Sequence, residues 1–179
     1  MSSKDNQFPA WVTAVYAVSR ALGVLSACLI LLGILVVCHM VFVRGVLGVS
    51  SIWQTEFTSF CILASTFLGA PYILLTRGHI GVDIVPMMVQ GKARLFLYLF
   101  GSFIGLLFCF FFLYSSIPWF YEAWVTGLTT SSVWSVKVWI PYSTVPIGLF
   151  ILCLQFLAEI WLVITKREQP FGMAANLRL

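Results

Sequence analysis

The residues of this chain that could carry acid–base chemistry are few and scattered. The sequence has two histidines and six acidic residues among 179. No histidine–aspartate pair lies in the apolar stretches, where it could activate one of the many serines or threonines. No phosphate-binding or dinucleotide-binding glycine motif occurs either. The sequence therefore predicts that the chain is not an enzyme.

The five cysteines are better explained as small apolar residues than as ligands. All of them lie inside apolar runs, and none forms a Cys-x-x-Cys pair, which argues against a metal cluster or a disulfide framework. We therefore predict neither a bound metal nor a cofactor in this chain. The cysteines are Cys28, Cys38, Cys61, Cys109 and Cys153.

His39 is the one histidine within a long apolar stretch, near its carboxyl end. We interpret it as an interface residue or a contact between helices rather than as a proton carrier. Membrane haem b needs two axial histidines on facing helices. A single buried histidine therefore argues against a cytochrome subunit or a membrane anchor for a redox enzyme.

The elements that hold these residues are strongly apolar. Hydrophobic residues make up 61% of the chain, charged residues 9%, and the mean hydropathy is +1.02. Four charge-free stretches, 21–43, 57–76, 95–121 and 138–158, are each long enough to cross a bilayer as a helix. We predict an all-α membrane protein with four transmembrane helices in one domain, 1–179. The first helix is expected to extend back toward Pro9, or else its lead-in lies along the membrane interface.

All charged residues, ten basic and six acidic, are predicted to lie outside the four spans. An ionisable side chain at mid-bilayer costs about 2.5–3.5 kcal/mol on insertion scales and marks ion paths or proton relays. The sequence therefore favours an accessory membrane subunit over a self-contained pump. A small exporter that works as a homodimer is the alternative, although such exporters use a membrane-embedded glutamate.

The distribution of lysine and arginine predicts that both termini are cytoplasmic, because basic residues accumulate on the cytoplasmic side of short loops. The other side has only Arg44 and Lys137. This distribution explains the net charge of +4 better than nucleic-acid binding does. The basic residues of the predicted cytoplasmic segments are Lys4, Arg20, Arg77, Lys92, Arg94, Lys166, Arg167 and Arg178.

The predicted cytoplasmic loop 77–90 is short and apolar. Asp83 can cap a helix whose first turn tolerates Pro86. We predict a short interfacial helix between the second and third spans, and a plain turn is the alternative.

Several local patterns together resemble one transporter family. Segments 53–56 (WQTE) and 67–70 (FLGA) open and continue the second span, and 77–83 (RGHIGVD) follows it; 140–141 (IP) and 145–148 (VPIG) open the fourth. With four spans and this length, the chain resembles the small permease subunit, the DctQ family, of tripartite ATP-independent periplasmic (TRAP) transporters, over about residues 19–167. It departs from the usual pattern at Thr55, where a second acid is common, and at Tyr142, where tryptophan is common.

The resemblance implies partners and a role. The small subunit of this family associates with a large (DctM-like) membrane subunit that carries substrate and sodium, and a periplasmic binding protein delivers the substrate. The large subunit works as an elevator, and the small subunit is thought to be its scaffold. Substrates are organic acids, among them sialic acid and C4-dicarboxylates, and the overall likeness favours sialic acid. The expected location is the bacterial inner membrane.

On the predicted cytoplasmic side, Arg77, His79 and Asp83 are expected to fix the loop helix and its contact with the large subunit. Anchoring by positive charge and helix capping are the alternative for Arg77 and Asp83. Lys92 and Arg94 are predicted to contact anionic lipid headgroups.

On the predicted outer side, Trp53 and Glu56 are expected to have a structural or subunit-interface role. Glu56 could pair with Arg44, contact the large subunit, or simply mark a solvated boundary of the span. The outer segments that hold Arg44, Glu122 and Lys137 are the predicted docking face for the binding protein.

Overall fold

The computed structural model describes residues 9–49, 52–76, 92–132 and 134–165. They form four α-helices: α1 (Ala10–Val46), α2 (Trp53–Leu75), α3 (Lys92–Thr126) and α4 (Trp139–Ile164). Each helix is long and apolar enough to cross a membrane. The described residues contain no strand beyond one isolated bridge between Thr129 and Lys137. The predicted all-α fold with four spans is therefore confirmed.

The helices are longer than the charge-free stretches that predicted them. α1 has 37 residues and α3 has 35, which gives lengths of roughly 55 and 52 Å, against a hydrocarbon core of about 30 Å. α1 begins directly after Pro9, as expected for the extended first helix. The backbone continues past Arg20, Glu122 and Glu159 because a charged side chain does not interrupt helical hydrogen bonding.

Three prolines lie inside helices: Pro71, Pro118 and Pro146. Each lacks the N–H that would donate to the carbonyl four residues earlier. Pro141 lies in the first turn of α4, where a backbone N–H has no partner within the helix. Pro71 is buried in α2, and no local sequence pattern indicated this.

The helices are arranged as a row in the order α1–α2–α4–α3. α1 packs along α2, α2 along α4, and α4 along α3, while α1 touches α4 over a shorter length. Along the helix axes, the row has two ends. We call the end at which α1 begins and α4 ends the termini end. The opposite end, which holds the connections α1–α2 and α3–α4, is the loop end.

Glycine allows the closest approaches between the helices. A Cβ at Gly148 of α4 would lie 2.6 Å from the carbonyl carbon of Phe67 in α2, and a Cβ at Gly69 would lie 2.6 Å from Ser26 Oγ of α1. A side chain at Gly148 would therefore push α2 and α4 apart, and one at Gly69 would displace the Ser26 hydroxyl.

Small residues form part of the packing surfaces of the outer helices. Gly23, Ser26 and Gly33 of α1 face α2, and Gly105 of α3 faces Phe156 of α4. Two other small residues of these helices do not pack in this way. Ala27 is exposed, and a Cβ at Gly101 would meet no atom within 4 Å.

The inner helices α2 and α4 are partly covered, and the outer helices are not. In the most apolar stretch of each helix, 33% of the residues are buried in α2 and 44% in α4, but only 17% in α1 and 6% in α3. Exposed phenylalanines are concentrated along α3. They are Phe96, Phe100, Phe103, Phe108, Phe110, Phe111 and Phe112.

Candidate functional site

At the loop end, a buried amide joins the first two helices. The side chain of Gln54, at the start of α2, is 1% exposed, and its Nε2 lies 2.9 Å from His39 Nδ1 of α1. The His39 ring also lies 6.3 Å from the ring of Trp53. His39 is thus a contact between helices, one of the two roles that the sequence predicted for it.

Glu56 joins α2 to the connection between α3 and α4. Its Oε2 accepts a hydrogen bond of 3.1 Å from Thr130 Oγ1. Thr130 sits in a small hairpin closed by Thr130 N–H to Val136 O (2.9 Å) and Val138 N–H to Leu128 O (2.9 Å). Glu56 therefore has a structural partner that the sequence did not indicate.

Aromatic rings reinforce the attachment of the hairpin. Trp134 of the hairpin lies 6.2 Å from Trp53 and 6.3 Å from Phe57, measured between ring centroids. Nearby, Trp124 and Trp139 make an edge-on contact at 4.6 Å across the connection from α3 to α4. We call the group of His39, Trp53, Gln54, Glu56, Phe57, Thr130 and Trp134 the loop-end cap.

The three residues of the predicted docking face lie at the loop end and are exposed. Arg44 is in the last turn of α1, Glu122 near the end of α3, and Lys137 in the hairpin. Among the described residues no ion pair links Arg44 to Glu56, because the Glu56 carboxylate turns toward Thr130. In this structure Glu56 is hydrogen-bonded to Thr130 and not paired with Arg44, and its contact with the large subunit stays a prediction.

At the termini end, Glu159 of α4 is 4% exposed and lies at the centre of a polar network. Its Oε1 accepts hydrogen bonds from Tyr16 Oη (3.1 Å) and Gln155 Nε2 (3.3 Å), and its Oε2 accepts one from Tyr98 Oη (3.5 Å). Gln155 Oε1 in turn accepts a bond of 3.0 Å from Ser19 Oγ. The network connects α1, α3 and α4.

The sequence reasoning missed this network because it ended the fourth span at the first charge. In the structure α4 runs five residues beyond Glu159, to Ile164, so the carboxylate belongs to a buried helix face. The prediction that every charged residue lies beyond the spans placed Glu159 at a boundary and did not foresee that its side chain is buried. The available signal was Gln155, a polar residue inside an apolar stretch and four positions before Glu159, on the same helix face.

Apolar contacts surround the network. Val12, Ala158 and Leu162 form a buried cluster, and Trp11 meets Trp161 edge-on at 5.7 Å. A carboxylate buried in such surroundings is tolerated only when hydrogen bonds replace its hydration. We call Tyr16, Ser19, Tyr98, Gln155 and Glu159 the termini-end network.

Between the two ends, a hydroxyl pair crosses from α1 to α2. Ser26 Oγ donates to the Ser65 carbonyl at 2.8 Å and lies 2.9 Å from Ser65 Oγ. Both serines are buried. The contact lies where Gly69 permits close approach of the two helices, so small side chains and hydrogen bonding act together there.

Several predicted site residues lie outside the described residues. These are Arg77, His79 and Asp83, together with the predicted interfacial helix of loop 77–90. Lys92 and Arg94 lie in the first turn of α3, but their side chains are also outside the description. Their predicted roles remain predictions.

Metal-ligating residues do not gather anywhere in the described ranges, which hold no group of three or more His, Cys, Asp or Glu residues. The cysteines are free; Cys61, Cys109 and Cys153 are buried, and Cys28 and Cys38 are exposed. This distribution agrees with the interpretation of the cysteines as apolar residues.

Four apolar helices tied together by hydrogen bonds and glycine contacts define a small polytopic membrane protein. The family model described as tripartite ATP-independent periplasmic transporters, DctQ component, matches residues 33–166, about three quarters of the chain. The chain belongs to this family. A comparison with curated proteins gave no match.

Family membership gives the general role. The chain is the small membrane subunit of a TRAP transporter, and the family is one of transporter components rather than enzymes. Such a subunit works with a large membrane subunit and a periplasmic binding protein. The resemblance drawn from the sequence motifs is thereby confirmed.

Proposed function

We propose that this chain is a fixed scaffold for the large elevator subunit during sodium-driven, binding-protein-dependent uptake of an organic acid, sialic acid or a C4-dicarboxylate. The observation that carries the proposal is that the row of helices is cross-connected at both ends. The loop-end cap joins α1, α2 and the hairpin, and the termini-end network joins α1, α3 and α4.

A scaffold must resist bending while its partner moves, and the contacts between helices support this. Packed interiors and hydrogen-bonded networks change between discrete arrangements rather than deforming continuously. The close contacts at Gly148 and Gly69 leave no space for the helices to slide without opening the row. The row is therefore suited to act as one body.

The outer helices supply surface for a partner. α3 exposes most of its apolar side chains, and in a membrane such a surface is covered by lipid or by other helices. We propose that the large subunit covers part of it, in the inner membrane of a bacterium. We further propose that both termini and loop 77–90 are cytoplasmic. The exposed residues Arg44, Glu122 and Lys137 would then face the binding protein.

The scaffold role can be tested by locking the row. Ser26 Oγ and Ser65 Oγ are 2.9 Å apart, so Ser26→Cys with Ser65→Cys in a cysteine-free background can be oxidised to a disulfide between α1 and α2. The test measures sodium-driven uptake in vesicles that hold this chain, its large subunit and the binding protein. We expect oxidation to leave uptake unchanged, because a fixed body does not need α1 to move against α2.

Two controls make the result decisive. The single variant Ser26→Cys reports the effect of oxidation without a cross-link, and reduction of the double variant reports the effect of the substitutions. Loss of uptake on oxidation, with recovery on reduction, would show that the helices move during transport and would overturn the scaffold proposal. Transport of solute by vesicles that hold this chain alone would overturn it as well.

A further inference from the structure

A groove opens between α2, α3 and α4 in the half of the row near the loop end. Its volume is about 250 Å³. Leu63 of α2, Phe112 of α3 and Val145 of α4 form part of its lining. Neither the loop-end cap nor the termini-end network contributes a residue to its lining.

The lining of the groove becomes more polar toward the loop end. Phe112 marks the deeper part, whereas Ser116 and Trp119 lie one and two turns nearer to the loop end of α3, and Tyr142 lies in the first turn of α4. Tryptophan and tyrosine prefer the level of the lipid headgroups. The groove therefore runs from the membrane boundary, where hydroxyl and indole groups are present, toward the apolar interior.

Size decides which occupant fits. From Phe112 to Phe120 the groove follows α3 for about 12 Å, at about 1.5 Å per residue. An α-helix with its side chains is about 10–12 Å in diameter, and a turn of that width does not fit in 250 Å³. A flexible hydrocarbon chain does fit, and the bilayer around α3 supplies such chains on every side.

Two helix-interior prolines are next in the chain to residues that line the groove: Pro118 precedes Trp119 in α3, and Pro146 follows Val145 in α4. Each removes one backbone hydrogen bond from its helix. An unfilled gap between helices loses dispersion contacts. Occupation by an apolar ligand would restore those contacts.

We propose that this groove binds one acyl chain of a membrane phospholipid as a specific site, with the headgroup near Trp119 and Tyr142. The bound lipid fills the groove and becomes part of the subunit. Its acyl chain exchanges more slowly than those of lipids that touch the open faces of α1 and α3.

Photochemical labelling tests the site. The complex of this chain with its large subunit, and the chain by itself, are reconstituted in phosphatidylcholine vesicles with a trace of phosphatidylcholine that carries a diazirine on one acyl chain. Labelled positions are mapped by mass spectrometry after illumination. We expect labelling around Phe112 and Val145 to exceed, several-fold, the labelling at Phe103 and Phe110, which are exposed on α3 outside the groove.

A filled groove provides the matched comparison. Val145→Phe should remove the excess labelling, whereas Ile147→Phe, at an exposed position of the same helix that does not line the groove, should leave it in place. Leu63→Phe fills the groove from α2 and replaces Val145→Phe if that variant does not fold.

Three outcomes would overturn the proposal. Equal labelling of the groove and of the open face of α3 would mean that the groove holds ordinary bilayer lipid only. Excess labelling that persists in both filled variants would place the label elsewhere. Labelling of the chain by itself that disappears in the complex would show that the large subunit, rather than a lipid, occupies the groove.

Discussion

Glu159 shows how one side chain can connect distant parts of a membrane protein. Its carboxylate accepts hydrogen bonds from α1 and α3 as well as from its own helix. A buried carboxylate is unfavourable unless hydrogen-bond donors surround it, so the neighbouring helices must supply those donors. Tyr16 of α1 and Tyr98 of α3 are among the groups that donate to it.

Replacing Glu159 by leucine should destabilise the protein by about 1–3 kcal/mol, because buried donors would lose their acceptor. The expected result is a lower midpoint of thermal unfolding in detergent. Glu159→Gln keeps one carbonyl oxygen and should lose less than Glu159→Leu.

Glu122→Leu is the matched control, because Glu122 is exposed at the other end of the row, and its unfolding midpoint should be close to that of the unmodified chain. Equal midpoints for Glu159→Leu and Glu122→Leu would contradict the role assigned to the termini-end network.

At the residue scale, the sequence indicated which residues have a structural role more readily than it indicated which residues they contact. Trp53 and Glu56 were singled out, and both take part in the loop-end cap. Thr130, which pairs with Glu56, is 74 positions away in the chain. Such a pairing depends on how the helices come together, and no local pattern encodes it.

At the element scale, the four helices were predictable because apolar length alone decides whether a segment crosses a membrane. Their order in the row was not predictable, because it depends on which small residues face each other. Gly148 illustrates the difference. The sequence placed it in a family motif, and the structure shows that it lets α2 and α4 touch backbone to backbone.

Substitution of Gly148 by alanine should separate α2 from α4 and cost about 1–3 kcal/mol of stability, as overpacking of a close contact does. The added Cβ would come within 2.6 Å of the Phe67 carbonyl carbon, and backbone cannot rotate aside as a side chain can. The unfolding midpoint in detergent is the measurement.

Gly101→Ala offers a direct comparison, because the added Cβ there meets nothing within 4 Å. It should leave stability unchanged or raise it slightly, since alanine favours helix more than glycine does. If both alanine variants behave alike, the close contact does not limit the packing of α2 on α4.

At the scale of the whole molecule, the exposed charges of the loop end form the proposed docking face for the binding protein. Arg44 and Lys137 are exposed there, and charges at the rim of an interface mainly affect the rate of encounter and its dependence on salt. Their placement was predicted from the sequence by counting basic residues along the chain. The partner surface that they are proposed to meet belongs to another polypeptide and lies beyond what this sequence encodes.

Reversing both charges, Arg44→Glu with Lys137→Glu, should lower uptake several-fold at low salt and less at high salt, because screening weakens interactions between exposed charges. Uptake in vesicles at two salt concentrations is the measurement. The affinity of the binding protein for its substrate should not change, and the unfolding midpoint should remain near that of the unmodified chain. Uptake unaffected at low salt would remove these residues from the docking face.

The cross-connections also have a consequence for biosynthesis. The most apolar stretch of α2 is the least hydropathic among the four helices, and α2 carries the buried polar residues Gln54 and Ser65. Their partners, His39 and Ser26, lie on a helix that the ribosome has already completed. α4 follows last.

The same order holds for α4: Gln155 and Glu159 meet hydroxyl groups of Ser19, Tyr16 and Tyr98, all translated earlier. The partners of Gln54 and Ser65 in α2, and the partners of Gln155 and Glu159 on other helices, are thus synthesised before the helix that bonds to them. The hydrogen bonds of α2 and α4 to earlier helices can therefore form as each new helix enters the membrane, in order from the amino terminus.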